Sequence, residues 1–366
     1  MIVWLLLAFG ARAEGITVAT YNTELKRDGP GLLLRDVLTG ADPQVQAVQT
    51  VIGAVCPDIL ALQSIDYDHD LATLLALNAG VPAPCMPYPH LFALEPNTGR
   101  ATGLDLNGDG YRGDPEDAQG FGAFAGQGGM ALLSRWPVDR SAVVDLSALL
   151  WKEAPGATLP THPNGDPFPT AEAQDVQRLS TTGHWAVPVV LPGGDRLTLQ
   201  VFHAAPPVFD GPEDRNGLRN ADELALWRHY LDGALGQAAP ADGFVILGDF
   251  NNDPQDGEGR NPALHALLTD PRLQDPAPRS DGAVDAALAQ AGTNVRHSGD
   301  AALDTADWPD DPGPGNLRVD YVLPSAELHI LASGVFWPKA RSVAGDLAAT
   351  VAQASRHRLV WVRLLP

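Results

Sequence analysis

A chain of 366 residues with 45 acidic against 24 basic side chains carries a formal charge of −21, which repels a phosphate backbone everywhere except at a local basic or metal-bearing patch. Its 45% apolar and 19% charged residues exclude a disordered polyampholyte, while 37 Gly and 32 Pro point to many loops. Tight nonspecific nucleic-acid binding is therefore disfavoured, and small or apolar partners are easier to accommodate.

The first element met along the chain reads as an address. Ile2 to Ala11 is an apolar run of signal-peptide length, followed by the small-x-small triplet Ala11-Arg12-Ala13 and the polar Glu14. Residues 1–13 are thus expected to be a leader that directs export, periplasmic or secreted, and residues 14–366 a single domain. No basic side chain precedes the run, and a buried first strand is the alternative. The run is too short to span a bilayer, which needs roughly 20 apolar residues, and no later run is longer.

Ile16 to Tyr21 is rich in β-branched residues and predicts a strand ending at Asn22. Asp42-Pro43 then offers an N-cap with Pro at the first helical position, and Val45, Val48, Ile52 and Val55 recur at helical spacing, so a helix is expected to about Cys56. Short apolar runs predict further strands at Asp58 to Leu62, Met130 to Ser134, Leu197 to Phe202, Phe244 to Leu247, Val319 to Leu323 and Leu359 to Val362. A second helix is suggested after Asn220 by Leu224, Trp227, Leu231 and Leu235. Strands from start to finish with a few helices between favour two packed sheets with helices outside over a doubly wound parallel sheet. Cys56 and Cys85 could pair in an exported chain or stay as two buried thiols, and their spacing does not decide.

Between these elements lies a calcium-loop pattern. Oxygen-bearing positions alternate at Asp105, Asn107, Asp109 and Tyr111 around the turn glycine Gly110, and Glu116 closes the series. Glycines and prolines on both sides break helical periodicity, so a free-standing Ca site is expected rather than a helix-flanked pair; the alternative is an Asp-Gly-rich turn without metal.

Polar residues sit at the ends of several apolar strands: Asn22, Gln63-Ser64, His203, Asp249 and Asn251, with Asp320 and His357 at the start of late strands. Each alone is compatible with a loop hydrogen bond, but six strands delivering Asn, Asp and His to one rim are hard to explain as packing. In their order these segments resemble the endonuclease/exonuclease/phosphatase superfamily, which includes DNase I-type nucleases and secreted sphingomyelinases. Val18 to Asn22, Pro57 to Gln63, Val201 to Pro206, Ile246 to Pro254, Arg318 to Val322 and Ser355 to Val360 carry the resemblance, and the Gly-Asp-Phe-Asn stretch at Gly248 to Asn251 is its most specific part.

The resemblance implies an α+β fold, the DNase I-like four-layer α/β/β/α sandwich, with a divalent-metal (Mg or Mn) phosphohydrolase site at one rim. Asn22, Asp249 and Asn251 would surround metal and phosphate, and His357, oriented by Asp320, would activate water. His203 would protonate the leaving oxygen. Two positions depart from the family pattern: Ser64 stands where a metal-binding Glu is usual, and Arg356 where Asp is usual. The exchange makes the site three charge units more positive, which weakens a hard cation's hold. Asp66, with Asp68 and Asp70 after it, is expected to supply a substitute metal carboxylate, the alternative being a solvated acidic loop, and Arg356 to bind a substrate phosphate bidentately. The expectation is an exported, monomeric, metal-dependent phosphoesterase acting on a small molecule or phospholipid in preference to nucleic acid. The alternatives are a DNase I-type nuclease and a calcium-ordered binding protein on a decayed catalytic scaffold.

Overall fold

The computed structural model describes residues 15–241, 243–340 and 345–365; the leader expected over residues 1–13 lies outside them. Strand β1 (Ile16–Leu25) leads through helices α1 (Leu32–Thr39) and α2 (Pro43–Val55) to β2 (Ile59–Ile65), followed by α3 (Ala72–Ala79), β3 (His90–Phe92), a long loop and β4 (Gly129–Ser134). Next come β5 (Val144–Asp145), α4 (Ala171–Val176), β6 (His184–Val190), β7 (Arg196–His203), α5 (Arg215–Leu231), β8 (Phe244–Asp249), α6 (Asn261–Leu268) and α7 (Asp281–Gln290). The last stretch holds β9 (Ala306–Asp307), β10 (Asn316–Leu317), β11 (Asp320–Pro324), β12 (His329–Val335), α8 (Gly345–Ala354) and β13 (Val360–Leu365).

Two sheets carry the architecture, one in the order β12-β13-β1-β2-β4-β3 and the other β11-β8-β7-β6-β5, with a small ribbon of β9 and β10. Period-two alternation divides each strand between two layers. Val18, Ala61, Val201, Leu247 and Val322 pack together between the sheets. Ala19, Tyr21, Leu60 and Leu62 turn outward onto Val48 and Ile52 of α2, Leu77 of α3 and Val351 of α8. On the far side Phe202, Ile246 and Tyr321 meet Leu224 and Trp227 of α5 and Leu264 of α6. Three apolar layers between helices and two sheets make the expected DNase I-like four-layer sandwich, and full burial of each Val, Leu, Ile or Phe side chain in them contributes roughly 1.5–3 kcal/mol.

Helix α2 starts where the capping residues place it, the Asp42 carboxylate accepting from Val45 N at 2.8 Å, and it ends at Cys56 in a left-handed conformation. Cys56 and Cys85 form a disulfide with Cα atoms 5.5 Å apart, which answers the question their spacing left open. Helix α5 begins at Arg215, ahead of the expected start after Asn220, because its first turns bury polar residues: Asn220 and Glu223 are fully enclosed and hydrogen-bonded. The sequence reading also lacks β6, whose Pro188 argues against an interior strand. Its neighbour β5 pairs only at Ala186 and Trp185; beyond it residues 137–139 cover the edge, Asp139 N donating to Pro188 O and Val190 N to Pro137 O, so this short irregular pairing uses the carbonyl of Pro188. Among the described residues no helix is long and apolar enough to cross a membrane.

Candidate active site

The rim forms where the inner faces of the two sheets part. Parallel pairing of β7 with β8 sets His203 beside Asp249, and antiparallel pairing of β8 with β11 sets Asp320 on the other side of Asp249. Cross-strand partners share a face, so the three side chains line up in one row. Gly248 is required by this close pairing, since a Cβ there would come within 1.9 Å of the Phe202 carbonyl oxygen, and its φ is 151°. Phe250 is buried with ring centroids 4.6 Å from both Phe202 and Tyr321, anchoring the loop after Asp249. The Gly-Asp-Phe-Asn stretch is thus a close strand approach, a carboxylate and an apolar anchor in sequence.

Asn22 reaches this row from the opposite sheet. Its Nδ2 donates to Asp249 Oδ2 at 2.8 Å and lies 3.4 Å from His357 Nε2. His357 arrives from the segment before β13, which pairs with residues 305–307: Arg358 N donates to Thr305 O, and Asp307 N to Arg356 O. Its Nδ1 lies 2.9 Å from Asp320 Oδ2, and because an ionised carboxylate only accepts, Nδ1 carries the proton and Nε2 faces Asn22 and Asp249. Thr305 fixes the orienting carboxylate, donating to Asp320 Oδ2 at 2.9 Å while accepting from Val319 N and Asp320 N. The Trp308 ring stands edge-on to the imidazole at 5.2 Å. His203 Nε2 lies 3.4 Å from Asp249 Oδ2, and its buried Nδ1 has no partner.

Burial acts on each charge here, and its neighbours decide the direction. Burial lowers the His357 pKa, but Asp320 and Asp249 outweigh it and raise the group to about 9. Burial raises Asp249, yet His357, His203 and the Asn22 amide hold it below its ordinary value. Asp320 goes up, because burial and the Asp249 charge exceed the downward pull of His357.

Asp249, Asp320 and His357, all buried, each bring one ligand atom within 4.8 Å of the others, and they are a possible divalent-metal site. Asp320 Oδ1 is buried there without a hydrogen-bond partner, so the donor set fits a hard cation. Asn251 stands next to the cluster in a left-handed conformation, its N donating to Asp249 Oδ1 and its Nδ2 to Ala204 O, each at 2.9 Å.

Asp66, Arg356 and the 105–116 loop have other partners. Asp66 is not brought to the cluster: its oxygens accept from Gly128 N and Arg27 N at 2.9 and 3.0 Å, and burial pushes its pKa up to about 6. The alternation argument from Ser64 to Asp66 fails because Ser64 lies in a bulge with φ 55° and β2 ends at Ile65. Arg356 is held by Glu24 through its N and Nε and through Nη2. In the 105–116 loop, Asp105 accepts from Gly108 N and Gly110 N, Asn107 from Asp109 N, and Asp109 from Tyr111 N. Glu116 is exposed, and the neighbouring Asp117 turns inward to Leu106 N and Gly113 N; the loop carboxylates do not converge as the rim cluster does.

Glu24, Thr305 and Asn220 escaped the sequence reading. Asn220 Nδ2 donates to Ala205 O and Phe250 O, tying together the loops that follow His203 and Asp249. Glu24 had a legible signal, an acidic residue two positions past Asn22 at a strand end; Thr305 and Asn220 had none.

Two facing sheets between helices, with a buried Asp-Asp-His cluster where they part, define a DNase I-like scaffold of hydrolytic type. The chain belongs to the Endonuclease/Exonuclease/phosphatase family, whose sequence model matches residues 19–357. An endonuclease/exonuclease/phosphatase structure from Beutenbergia cavernae superposes with TM-score 0.51 at 18% identity, covering 96% of this chain and 71% of that one. A family protein from Leptotrichia buccalis gives TM-score 0.51 at 13% identity, over 96% of this chain and 100% of its own. At such identities the likeness concerns the fold. No curated protein sequence matches the chain.

Proposed function

We propose that the protein hydrolyses a phosphoester, with His357 as the base that takes a proton from water and His203 as the acid that returns one to the leaving oxygen. The observation that carries this reading is the buried line Thr305 to Asp320 to His357, which fixes the Nδ1 proton and leaves Nε2 facing Asn22 and Asp249. Asp249 and the free oxygen of Asp320 would hold a divalent cation, Mg or Mn, with Asn22 and Asn251 beside it. Bound there, such an ion supplies charge neutralisation for the anionic ester and offsets the two carboxylates that raise His357. Asn22 and, once freed from Glu24, the half-exposed Arg356 would meet a phosphate oxygen.

A net charge of −21 favours a small-molecule or phospholipid ester over a nucleic acid. Export rests on the apolar run and small-x-small triplet before Glu14. Calcium at the 105–116 loop rests on the oxygen spacing and on Asp105 gathering Gly108 N and Gly110 N. The test is a screen of the purified protein with Mg or Mn against phosphomonoesters, phosphodiesters, choline phospholipids and DNA. Turnover of any ester that His357→Ala leaves unchanged excludes the mechanism, and preferential cleavage of DNA at low salt replaces the substrate reading with the nuclease one.

A further inference from the structure

A third carboxylate, Glu24, holds the segment that carries His357, and a bulge puts it there. Strands β1 and β2 slip register between Asn22 and Leu25, and Glu24 sits in the slip with φ 50°, a backbone conformation that L side chains rarely adopt. Its N donates to Asn22 Oδ1 at 3.2 Å, which locks it to the residue that touches Asp249 and His357. The side chain turns to the segment before β13: Oε2 accepts from Arg356 N at 2.7 Å and lies 3.2 Å from Ser355 Oγ, while Oε1 accepts from Arg356 Nε at 2.8 Å and from Nη2. Ser355 Oγ in turn accepts from His357 N at 3.0 Å, so Glu24 and the imidazole share one scaffold. Their charges interact directly: Glu24 is among the groups that raise His357, and His357 helps hold Glu24 below its ordinary pKa.

The cation-capable cluster is short of oxygen donors. Asp249 and Asp320 are its carboxylates, and a hard divalent ion prefers six or more oxygens. Glu24 is a further acidic side chain whose charge reaches His357, and what engages it is Arg356, whose own side chain is 55% exposed while that of Glu24 is 20% exposed. An ion pair that opens onto solvent is easily exchanged, whereas a carboxylate facing a dehydrated dication is not.

Resting on the reading that this rim takes a divalent cation, we propose that Glu24 is a further carboxylate of the cation site and that Arg356 is its resident competitor. With the site empty the guanidinium neutralises Glu24; with a cation bound, Glu24 turns to the ion and Arg356 is released toward the mouth, where a substrate phosphate would meet it.

Calorimetric titration of the full chain with Mn²⁺ tests this on wild type, Glu24→Gln, Arg356→Gln, the double variant and Asp249→Asn, each first shown to be folded by its melting curve. Loss of a supporting carboxylate typically weakens a metal site about ten- to hundredfold, so Glu24→Gln is expected to bind Mn²⁺ that much more weakly. Arg356→Gln is expected to bind about tenfold more tightly, and most of that gain is expected to vanish when Glu24→Gln is added. Wild-type affinity in Glu24→Gln, or unchanged or weakened binding in Arg356→Gln, overturns the proposal. If Asp249→Asn abolishes binding while Glu24→Gln does not, the cation reading stands and this inference falls. If neither wild type nor Arg356→Gln takes up Mn²⁺ at millimolar concentration, both fall. Should Glu24→Gln fail to fold, the direction of the change in Arg356→Gln decides alone.

Discussion

Asp320→Asn isolates the electrostatics on which the proposed mechanism depends. Asp320 is the leading influence that lifts His357, through its charge and through the Nδ1 hydrogen bond at 2.9 Å. Lifting the imidazole from its ordinary 6.5 to about 9 corresponds to roughly 3 kcal/mol of preference for the charged ring, at about 1.4 kcal/mol per pH unit. Little solvent screening applies, because the side chain of His357 is 4% exposed. The folded-state pKa is raised, so this stabilisation is fully present below about pH 6.5 and is lost as pH rises to about 9. Asparagine keeps the shape and removes the charge. In chelator, the His357 titration followed by NMR is expected to fall by at least about one pH unit in Asp320→Asn. The loss of unfolding free energy between pH 6.5 and 9 should shrink with it. With metal present, turnover should drop by roughly two orders of magnitude or more at little change in KM, because the ring is no longer held in its productive tautomer. A midpoint that stays near 9 in the variant, or one below 6.5 in the wild type, refutes the reasoning.

His203→Ala should lower turnover by roughly two to four orders of magnitude, and because His203 sits at the edge of the rim its denaturation midpoint should move little; near-normal turnover removes it as the acid. Replacing Cys56 and Cys85 together by Ala opens a loop with sequence separation 29, which by chain entropy should cost about 3–4 kcal/mol in chemical denaturation; an unchanged midpoint contradicts that. If the 105–116 loop takes calcium in the folded state only, millimolar calcium added after chelation should raise the melting temperature, and Asp109→Ala should abolish the response; a flat wild-type response removes the site.

What was legible in the sequence follows from periodicity. Apolar strands with polar ends announced Asn22, His203, Asp249, Asp320 and His357, and the structure brings these five together because β1, β7, β8, β11 and the segment before β13 meet at the same rim. Elements whose pattern inverts the usual rule were not legible. The start of α5 buries Asn220 and Glu223 against backbone groups of the site loops, so polarity there marks an interior face. Strand β6 contains a proline next to a short, irregular edge pairing, and β12 is an edge strand with only its last two residues buried and no clean alternation.

The departures at Ser64 and Arg356 mark the limit of motif reasoning. Counted along the sequence against the family pattern, they would make the site three charges more positive and point to Asp66 as the nearest replacement. Counted in space, Asp66 is occupied by the backbone N–H groups of Arg27 and Gly128, and the carboxylate that faces the problem is Glu24, 332 positions from Arg356. No spacing rule joins two residues at opposite ends of a chain; antiparallel pairing of β1 with β13 does, by bringing the segment before β13 alongside the end of β1. The pairing changes the meaning of the arginine. Alone it would repel a dication, but paired with Glu24 it adds no net charge; what the closed pair withholds is a carboxylate the cation could use. The exchange of Asp for Arg therefore need not abolish the site. If Glu24 serves the cation as proposed, its availability would depend on competition between the Arg356 guanidinium and the metal ion.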